Sequence, residues 1–293
     1  MKISISWILI LLINVCFTNI ILAENYDSTD IKTVLNKPIY LSFGLNGSNY
    51  YVRDEGTSSL IYNGIMYGGN IGLVLFKKNR FSIIEYTFNY GKLNTQYYSI
   101  DQNTAKTYCN TLFINTSWQI FSEVNKKIEI YAGPSLNIIG NFRNNSKFNN
   151  ASLNYEVISS LGPVFYMKNR FVFNTHYGNK NVLYKHYAKR EIVLVSSVTF
   201  PLFSAIARPT YSIIDDFPAF AAPKFSKKNI SYSTIPLYSG TVFKTDLMFT
   251  LQNRNIIKLG YTWYFYRYAP AQNKLTGVYS NLSLSFLLRL NNK

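Results

Sequence analysis

The sequence is poor in cysteine and histidine, with 2 of each among 293 residues. Cys16 lies in an apolar N-terminal segment that we expect to be removed, so Cys109 would stand alone and no intramolecular disulfide could stabilise the fold. The sequence also contains no G-x-S-x-G, no H-E-x-x-H and no cysteines and histidines at metal-binding spacing. We therefore expect no metal centre, no cofactor and no common hydrolase site.

Long apolar runs are missing beyond the N-terminus. No later segment offers about 20 consecutive apolar residues, which excludes a membrane helix there. At the N-terminus, Lys2 precedes an apolar run from Ile8 to Val15 that continues in patches to Leu22, and Ala23 precedes a polar stretch. This pattern predicts a signal peptide over residues 1–23, although an uncleaved anchor is the alternative. Residues 24–37 would be a periplasmic segment, followed by one domain over 38–293.

What the sequence has in abundance is aromatic residues in alternating segments, with 25 Tyr and 21 Phe. Near the C-terminus, Leu282, Leu284, Phe286, Leu288 and Leu290 alternate with smaller or polar residues, as in a β-strand with one apolar face. The same period recurs in eleven segments in all, around residues 39–46, 66–75, 84–90, 112–120, 128–138, 153–165, 171–177, 192–200, 243–251, 257–265 and 282–290.

The links between these segments are of two kinds. Short turns are expected at 78–79, 122–127, 168–169 and 252–255, and longer polar links at 47–63, 93–107, 141–151, 179–188 and 267–276. Alternating short turns and long loops are typical of an up-and-down barrel across an outer membrane. In a β-sandwich the loops cluster at both ends, so no such alternation of link lengths is expected. An even strand number requires one more strand, which we place at 205–213. The predicted fold is all-β: an antiparallel up-and-down transmembrane β-barrel of about 12 strands.

The charged residues of the strands lie on the face opposite the apolar one. If the apolar face meets lipid, the lumen is lined by Glu85, Glu129, Glu156, Lys244, Asp246, Lys258, Arg289 and His176. A Lys or Arg on the lipid face would cost about 2–4 kcal/mol near the membrane centre, whereas a wet lumen would solvate it. Acids lie mainly on early strands and bases on late ones. They either set up a transverse field, as in a porin constriction, or close a narrow lumen with salt bridges.

With these features the chain resembles the Tyr- and Asn-rich β-barrels of bacterial outer membranes, most like the uncharacterised ones of Bacteroidetes-type bacteria. The resemblance covers the signal peptide and the barrel from about Pro38, and it rests on architecture rather than on a diagnostic motif. It implies an outer-membrane location, insertion by the barrel-assembly machinery and contact with outer-membrane lipid. The net charge of +16 is dispersed over turns and loops, so we expect lipopolysaccharide phosphates rather than nucleic acid as its counter-charge.

Three classes of function follow from a barrel of this kind. The first expectation is a channel or transporter-like barrel for small polar solutes. The alternative is a structural or accessory envelope barrel with an occluded lumen, as a partner in a larger envelope complex. An outer-membrane hydrolase comes third. Its candidate groups would be His176, His186 or the adjacent Asp215 and Asp216, but neighbouring loop carboxylates seldom converge on one reacting atom, and we expect no enzyme.

Overall fold

The computed structural model describes residues 38–56, 58–77, 79–95, 103–122, 128–145, 153–174, 189–208, 230–251, 253–271 and 273–290. Twelve strands make up these residues: β1 (Ile39–Asp54), β2 (Ser58–Lys77), β3 (Arg80–Thr95), β4 (Asn103–Ser122), β5 (Ile128–Asn144), β6 (Leu153–Asn174), β7 (Lys189–Thr199), β8 (Phe203–Ala207), β9 (Ile230–Thr234), β10 (Tyr238–Thr250), β11 (Ile256–Tyr268) and β12 (Leu275–Arg289). None of the described residues belongs to a helix that is long and apolar enough to cross a membrane.

Ten of the strands close into a ring. The order around it is β1, β2, β3, β4, β5, β6, β7, β10, β11 and β12, and β12 pairs with β1 again. All pairings are antiparallel, and the closing pair runs in continuous register from Tyr40 opposite Arg289 to Asp54 opposite Leu275. The predicted all-β antiparallel barrel is therefore confirmed. We call the end where β1 begins and β12 ends the terminal end, and the other the distal end.

The remaining two strands, β8 and β9, lie outside the ring. β8 pairs with residues 157–161 of β6, beyond the point where β7 ends, and β9 pairs with β8. The break between β7 and β8 falls at Pro201, which has no N–H to give to the ladder. The expected extra strand at 205–213 thus begins as β8 but does not join the ring, and residues 209–213 lie outside the described residues. The total of twelve strands is as predicted.

The predicted turn at Lys168–Asn169 is wrong. β6 runs through it for 22 residues, with Lys168 opposite Glu129 of β5 on one side and Val195 of β7 on the other. Two adjacent polar residues look like a turn, but the ammonium of Lys168 lies 3.2 Å from the Glu129 carboxylate, which allows the strand to continue. As a result β6 and β7 are joined at the terminal end, beside the short turns, and not at the opposite end as the alternation predicted.

The inward and outward faces follow the predicted parity. On β1, Phe43 and Leu45 are 48% and 77% exposed, whereas Ser42 and Asn46, which flank them in the sequence, are buried. The same alternation holds on β12, where Leu282 and Leu284 are exposed. Tyr155 is an exception: it lies at an outward position of β6, but it is buried and packs against Phe142 at 6.5 Å between ring centroids.

Inward glycines make room for large side chains. Gly277 on β12 lies opposite Tyr266 on β11, and a Cβ at Gly277 would overlap the Tyr266 ring. No described glycine has a positive φ, so Gly277 is required for space and not for an unusual backbone conformation. Its missing side chain lets Tyr266 lie fully buried in the barrel.

We predict that Gly277→Ala destabilises the barrel by about 1–3 kcal/mol, because overpacking forces Tyr266 out of position. Gly140→Ala is the matched control, since its Cβ would meet only ordinary contacts at 4.0 Å. Urea unfolding in detergent micelles, followed by the fluorescence of Trp118 and Trp263, measures both variants. Equal midpoints for the two variants would contradict the packing argument.

Candidate functional site: the closed interior of the barrel

Inward side chains form an apolar layer towards each end of the barrel. The terminal layer contains Tyr40, Val74, Phe81, Ile83, Tyr131, Val164, Tyr166, Val193, Val195, Met248, Ile256 and Leu287. The distal layer is richer in tyrosine and contains Tyr50, Val52, Tyr62, Met66, Leu93, Tyr238, Tyr264, Tyr266, Tyr268, Leu275 and Tyr279 among others. Both layers come from residues with inward parity, and charged residues lie among them in two clusters.

The first cluster, the central quartet, consists of Glu85, Lys244, Asp246 and Lys258. The ammonium groups of Lys244 and Lys258 each lie 2.7 Å from one oxygen of the Glu85 carboxylate. Asp246 lies further away, at 3.8 Å from Lys244 and 4.0 Å from Lys258. Two acids and two bases make the quartet neutral, and all four side chains are nearly inaccessible.

The ring order shows that the central quartet crosses the lumen. Glu85 lies on β3 and Lys244 on β10, which are five places apart in the ring of ten strands and therefore face each other. A direct contact of 2.7 Å between opposite walls leaves no aqueous space between those two groups. The lumen is blocked along that line.

The second cluster, the distal quartet, consists of Asp54, Arg143, Glu156 and Arg208. One Arg143 nitrogen lies 3.4 Å from Asp54 and 3.5 Å from Glu156, and Arg208 donates to the other Asp54 oxygen at 3.1 Å. Asp54 also accepts from Asn154 at 3.0 Å. This quartet is again neutral and again joins opposite walls, since Asp54 lies on β1 and Glu156 on β6.

Tyrosine and asparagine donors surround the carboxylate of Glu156. Tyr50 and Asn141 donate to its Oε1 atom at 2.7 and 2.6 Å, and the Tyr266 hydroxyl donates to the same atom. The Tyr50 and Tyr266 hydroxyls are themselves 2.6 Å apart. A buried carboxylate needs this number of donors because burial removes its water.

The other predicted lumen residues lie at the terminal end. Glu129 is buried, accepts a hydrogen bond from Tyr131 at 2.7 Å and pairs with Lys168. Arg289 is half-buried, and its backbone N–H donates to Asn255 at 3.0 Å. His176 lies outside the described residues.

The two arrangements considered for the charges differ in whether acids and bases are in contact. Glu85 touches both Lys244 and Lys258, so these charges do not face each other across water. Arg289 and Glu129 belong to the terminal end and not to the quartet. The geometry is therefore one of salt bridges across the lumen at Glu85.

Sequence reasoning did not identify three members of the distal quartet, Asp54, Arg143 and Arg208. The first two were assigned to the long links at 47–63 and 141–151, but β1 continues to Asp54 and β5 to Asn144. Their parity was the available signal, because each continues the buried face of its strand. Arg208 falls within the strand predicted at 205–213 and shares the parity of the buried Ser204 and Ile206, but it was not selected as a lumen residue.

The interior holds charges in pairs that neutralise one another. Among the described residues, no three side chains of the metal-binding types lie close enough together to hold an ion. Glu85 accepts from both lysines of its quartet, and Glu156 accepts from neutral donors at one oxygen and from Arg143 at the other. The candidate groups of the hydrolase hypothesis, His176, His186, Asp215 and Asp216, lie outside the described residues.

We predict that Glu85→Ala lowers the free energy of unfolding by about 3–5 kcal/mol, because it leaves Lys244 and Lys258 without their shared partner. The control is Arg53→Ala, which removes an exposed pair with Glu55 at 3.4 Å and should cost less than about 1 kcal/mol. Urea unfolding in micelles compares them. A loss for Glu85→Ala no larger than that for the control would show that the quartet does not hold the walls together.

Comparisons with known proteins give structural neighbours of low identity. No family model matches the chain, and no curated protein matches it significantly. The outer membrane protease OmpT from Escherichia coli is similar with a TM-score of 0.46 and 9% identity, over 86% of this chain and 97% of that one. The toluene transporter TodX of P. putida has a TM-score of 0.30 and 7% identity, over 88% and 91% of the two chains.

A third neighbour is the translocator domain of the autotransporter NalP from Neisseria meningitidis, with a TM-score of 0.29 and 8% identity over 87% of this chain and 92% of that one. At such scores these neighbours carry no argument about activity. The barrel itself is established by the strand pairing of this chain, and its likeness to Bacteroidetes-type barrels stays a prediction.

Proposed function

We propose that this chain is an integral outer-membrane β-barrel with a closed lumen, and that it acts as a structural or accessory protein of the bacterial envelope. The observation that carries the proposal is the separation of apolar and charged residues between the two faces of the wall. Apolar side chains cover the outside, and the charges of the strands pair inside.

The outer surface of the ring is a continuous apolar band. Leu45, Tyr67 and Ile120 are each more than 60% exposed. Among the side chains that the structure describes, outward-facing charges on the strands occur only near the strand ends, at Lys77 and Arg80 near the terminal end and at Arg53, Lys92, Lys106 and Arg267 near the distal end. A band of this extent would be an aggregation surface in water, whereas an outer membrane requires an apolar band about 25 Å tall.

The closed interior supports a structural role over free diffusion of solutes. Barrels of about eight strands have room only for side chains, whereas those of about 16–18 leave an aqueous channel. The ten-stranded ring is close to the first case, and its inner tyrosines and two quartets occupy the space. Opening a path would require breaking buried ion pairs, which is costly.

A channel for small polar solutes is the second candidate. It is favoured by inward polar atoms that have no protein partner in the described part of the chain, including the hydroxyls of Thr107 and Thr111 and the amide nitrogen of Asn137. Buried polar atoms of this kind bind water. A hydrated path along β4 and β5 would be the basis of conduction.

The proposal also includes export and assembly. It takes residues 1–23 as a signal peptide, residues 24–37 as a periplasmic segment, and the barrel-assembly machinery, lipopolysaccharide and an envelope complex as partners. Residues 1–37 lie outside the described residues. A hydrolase function would depend on the His and Asp candidates already named, and the proposal assigns none.

For location, we predict that a cysteine at Ala271 reacts with a membrane-impermeant maleimide on intact cells, because it is exposed at the distal end. A cysteine at Asn253, exposed at the terminal end, should react only after permeabilisation. Cys109 is buried and gives the unreactive background. If only Asn253→Cys were labelled on intact cells, the orientation would be the reverse of the one proposed. If neither cysteine variant were labelled in permeabilised membrane fractions, membrane insertion would be contradicted.

For function, we predict that the purified protein in a planar bilayer shows no stable unitary conductance. Incorporation is verified by maleimide labelling of Ala271→Cys in the same preparation. The quadruple variant Glu85→Ala, Lys244→Ala, Asp246→Ala, Lys258→Ala removes the central quartet without changing net charge, and it should conduct more readily than the wild type. Stable unitary steps from the wild type would favour the channel and overturn the closed barrel.

A further inference from the structure

Two lysines face outward side by side at the distal edge of the barrel wall. Lys92 on β3 and Lys106 on β4 are register partners, and both are exposed. The Cβ atoms of directly opposed cross-strand residues lie roughly 5 Å apart, and like charges in this position destabilise the pair. Among the described residues, no carboxylate forms an ion pair with either lysine. An anion from outside the chain would relieve their repulsion.

The neighbours of the lysine pair place it at a polar–apolar boundary. One row towards the terminal end, Tyr90 and Tyr108 are opposed on the same strands, with ring centroids 4.9 Å apart. On the other side lies Asn94, and Asn144 is the β5 partner of Lys106; both are exposed. Aromatic residues beside cations are typical of the headgroup level of a membrane protein.

A shallow groove, widely open to the surroundings and mostly apolar, lies lower on the same wall. It is lined by Phe43, Leu45, Asn70, Ile71, Tyr86 and Phe88, has glycines at 44 and 69, and has a volume of about 420 Å³. Phe88 and Tyr86 lie on the outward face of β3 together with Lys92, four and six residues away, which is roughly 13 to 20 Å along the strand. The groove and the lysine pair are therefore on one continuous strip of outer surface.

We propose that this strip binds a phosphorylated lipid of the membrane, with a phosphomonoester between Lys92 and Lys106 and an acyl chain in the groove. A phosphomonoester carries nearly two negative charges at neutral pH, which matches the two ammonium groups. Lysine binds phosphate as a point charge and tolerates varied geometry. A free phosphate would use the lysines alone, so the adjoining apolar groove favours a lipid.

The other outward cations at the distal end are arranged differently. Arg53 is already paired with Glu55 at 3.4 Å. Arg53 on β1 and Arg267 on β11 are both register partners of Thr276 on β12, so the threonine lies between the two arginines. Arg267 and the exposed Lys274 therefore provide a control of equal charge at the same end, away from the β3–β4 wall.

The test measures binding of diphosphoryl lipid A to the full-length protein in detergent micelles by native mass spectrometry. The double variant Lys92→Gln, Lys106→Gln should bind roughly thirtyfold more weakly, whereas Arg267→Gln, Lys274→Gln should match the wild type. Lipid A stripped of its phosphates should bind as weakly to the wild type as lipid A does to the lysine variant. Equal binding by both double variants would overturn the site, and displacement of the lipid by millimolar inorganic phosphate would reduce it to a simple anion site.

The groove is tested separately. Ile71→Trp fills it, and Leu247→Trp places the same bulk on the outward face of β10, across the barrel. Only the first should weaken lipid A binding, and equal binding by the two would overturn the acyl-chain assignment. This inference rests on the proposed membrane location, but different results would contradict each proposal. If cysteine labelling shows membrane insertion and the protein does not prefer the phosphorylated lipid, only the lipid site is contradicted.

Discussion

The contact of Lys244 and Lys258 with Glu85 is the interaction on which the interior depends. It joins β10 and β11 to the facing β3 at 2.7 Å, so it fixes the distance between opposite walls and leaves one positive charge to be balanced. Asp246 completes the balance. Removing any one member would leave an unbalanced charge in a space without enough solvent to stabilise it.

The pairing of charges inside the barrel is a consequence of the apolar outer surface. An apolar band around the ring leaves only the inward positions for charged residues in the middle of the strands, and ten strands enclose too little space to hydrate them separately. Pairing is the remaining solution, and it appears twice, in the central quartet and in the distal quartet of Asp54, Arg143, Glu156 and Arg208. The distal tyrosines supply the donors that the acids still need. This pairing is the feature that supports the proposed structural role over a porin-like one.

On the outer surface of the barrel, two neighbouring charges are not paired in this way. Lys92 and Lys106 are not paired within the described residues, and they stand where the apolar band ends. Inside, every charge of the quartets has its partner in the chain, whereas no described residue supplies a counter-charge to the two lysines, and the proposed lipid phosphate would supply it. An envelope barrel that holds a phosphorylated lipid at this position would be anchored at the headgroup level on one sector of its wall.

The sequence by itself determined the all-β class and the two faces of the wall. Period-two alternation is local, and it correctly put Glu85, Lys244 and Lys258 on the face opposite Phe88, Phe243 and Leu259. It could not determine where strands end: Lys168 and Asn169 looked like a turn until Glu129 on the neighbouring strand supplied a partner. Ring size, register and the meeting of Asp54 with Arg143 and Arg208 were decided only by the tertiary structure. These features depend on which distant strands pair and with what stagger, and no local pattern of side chains specifies that.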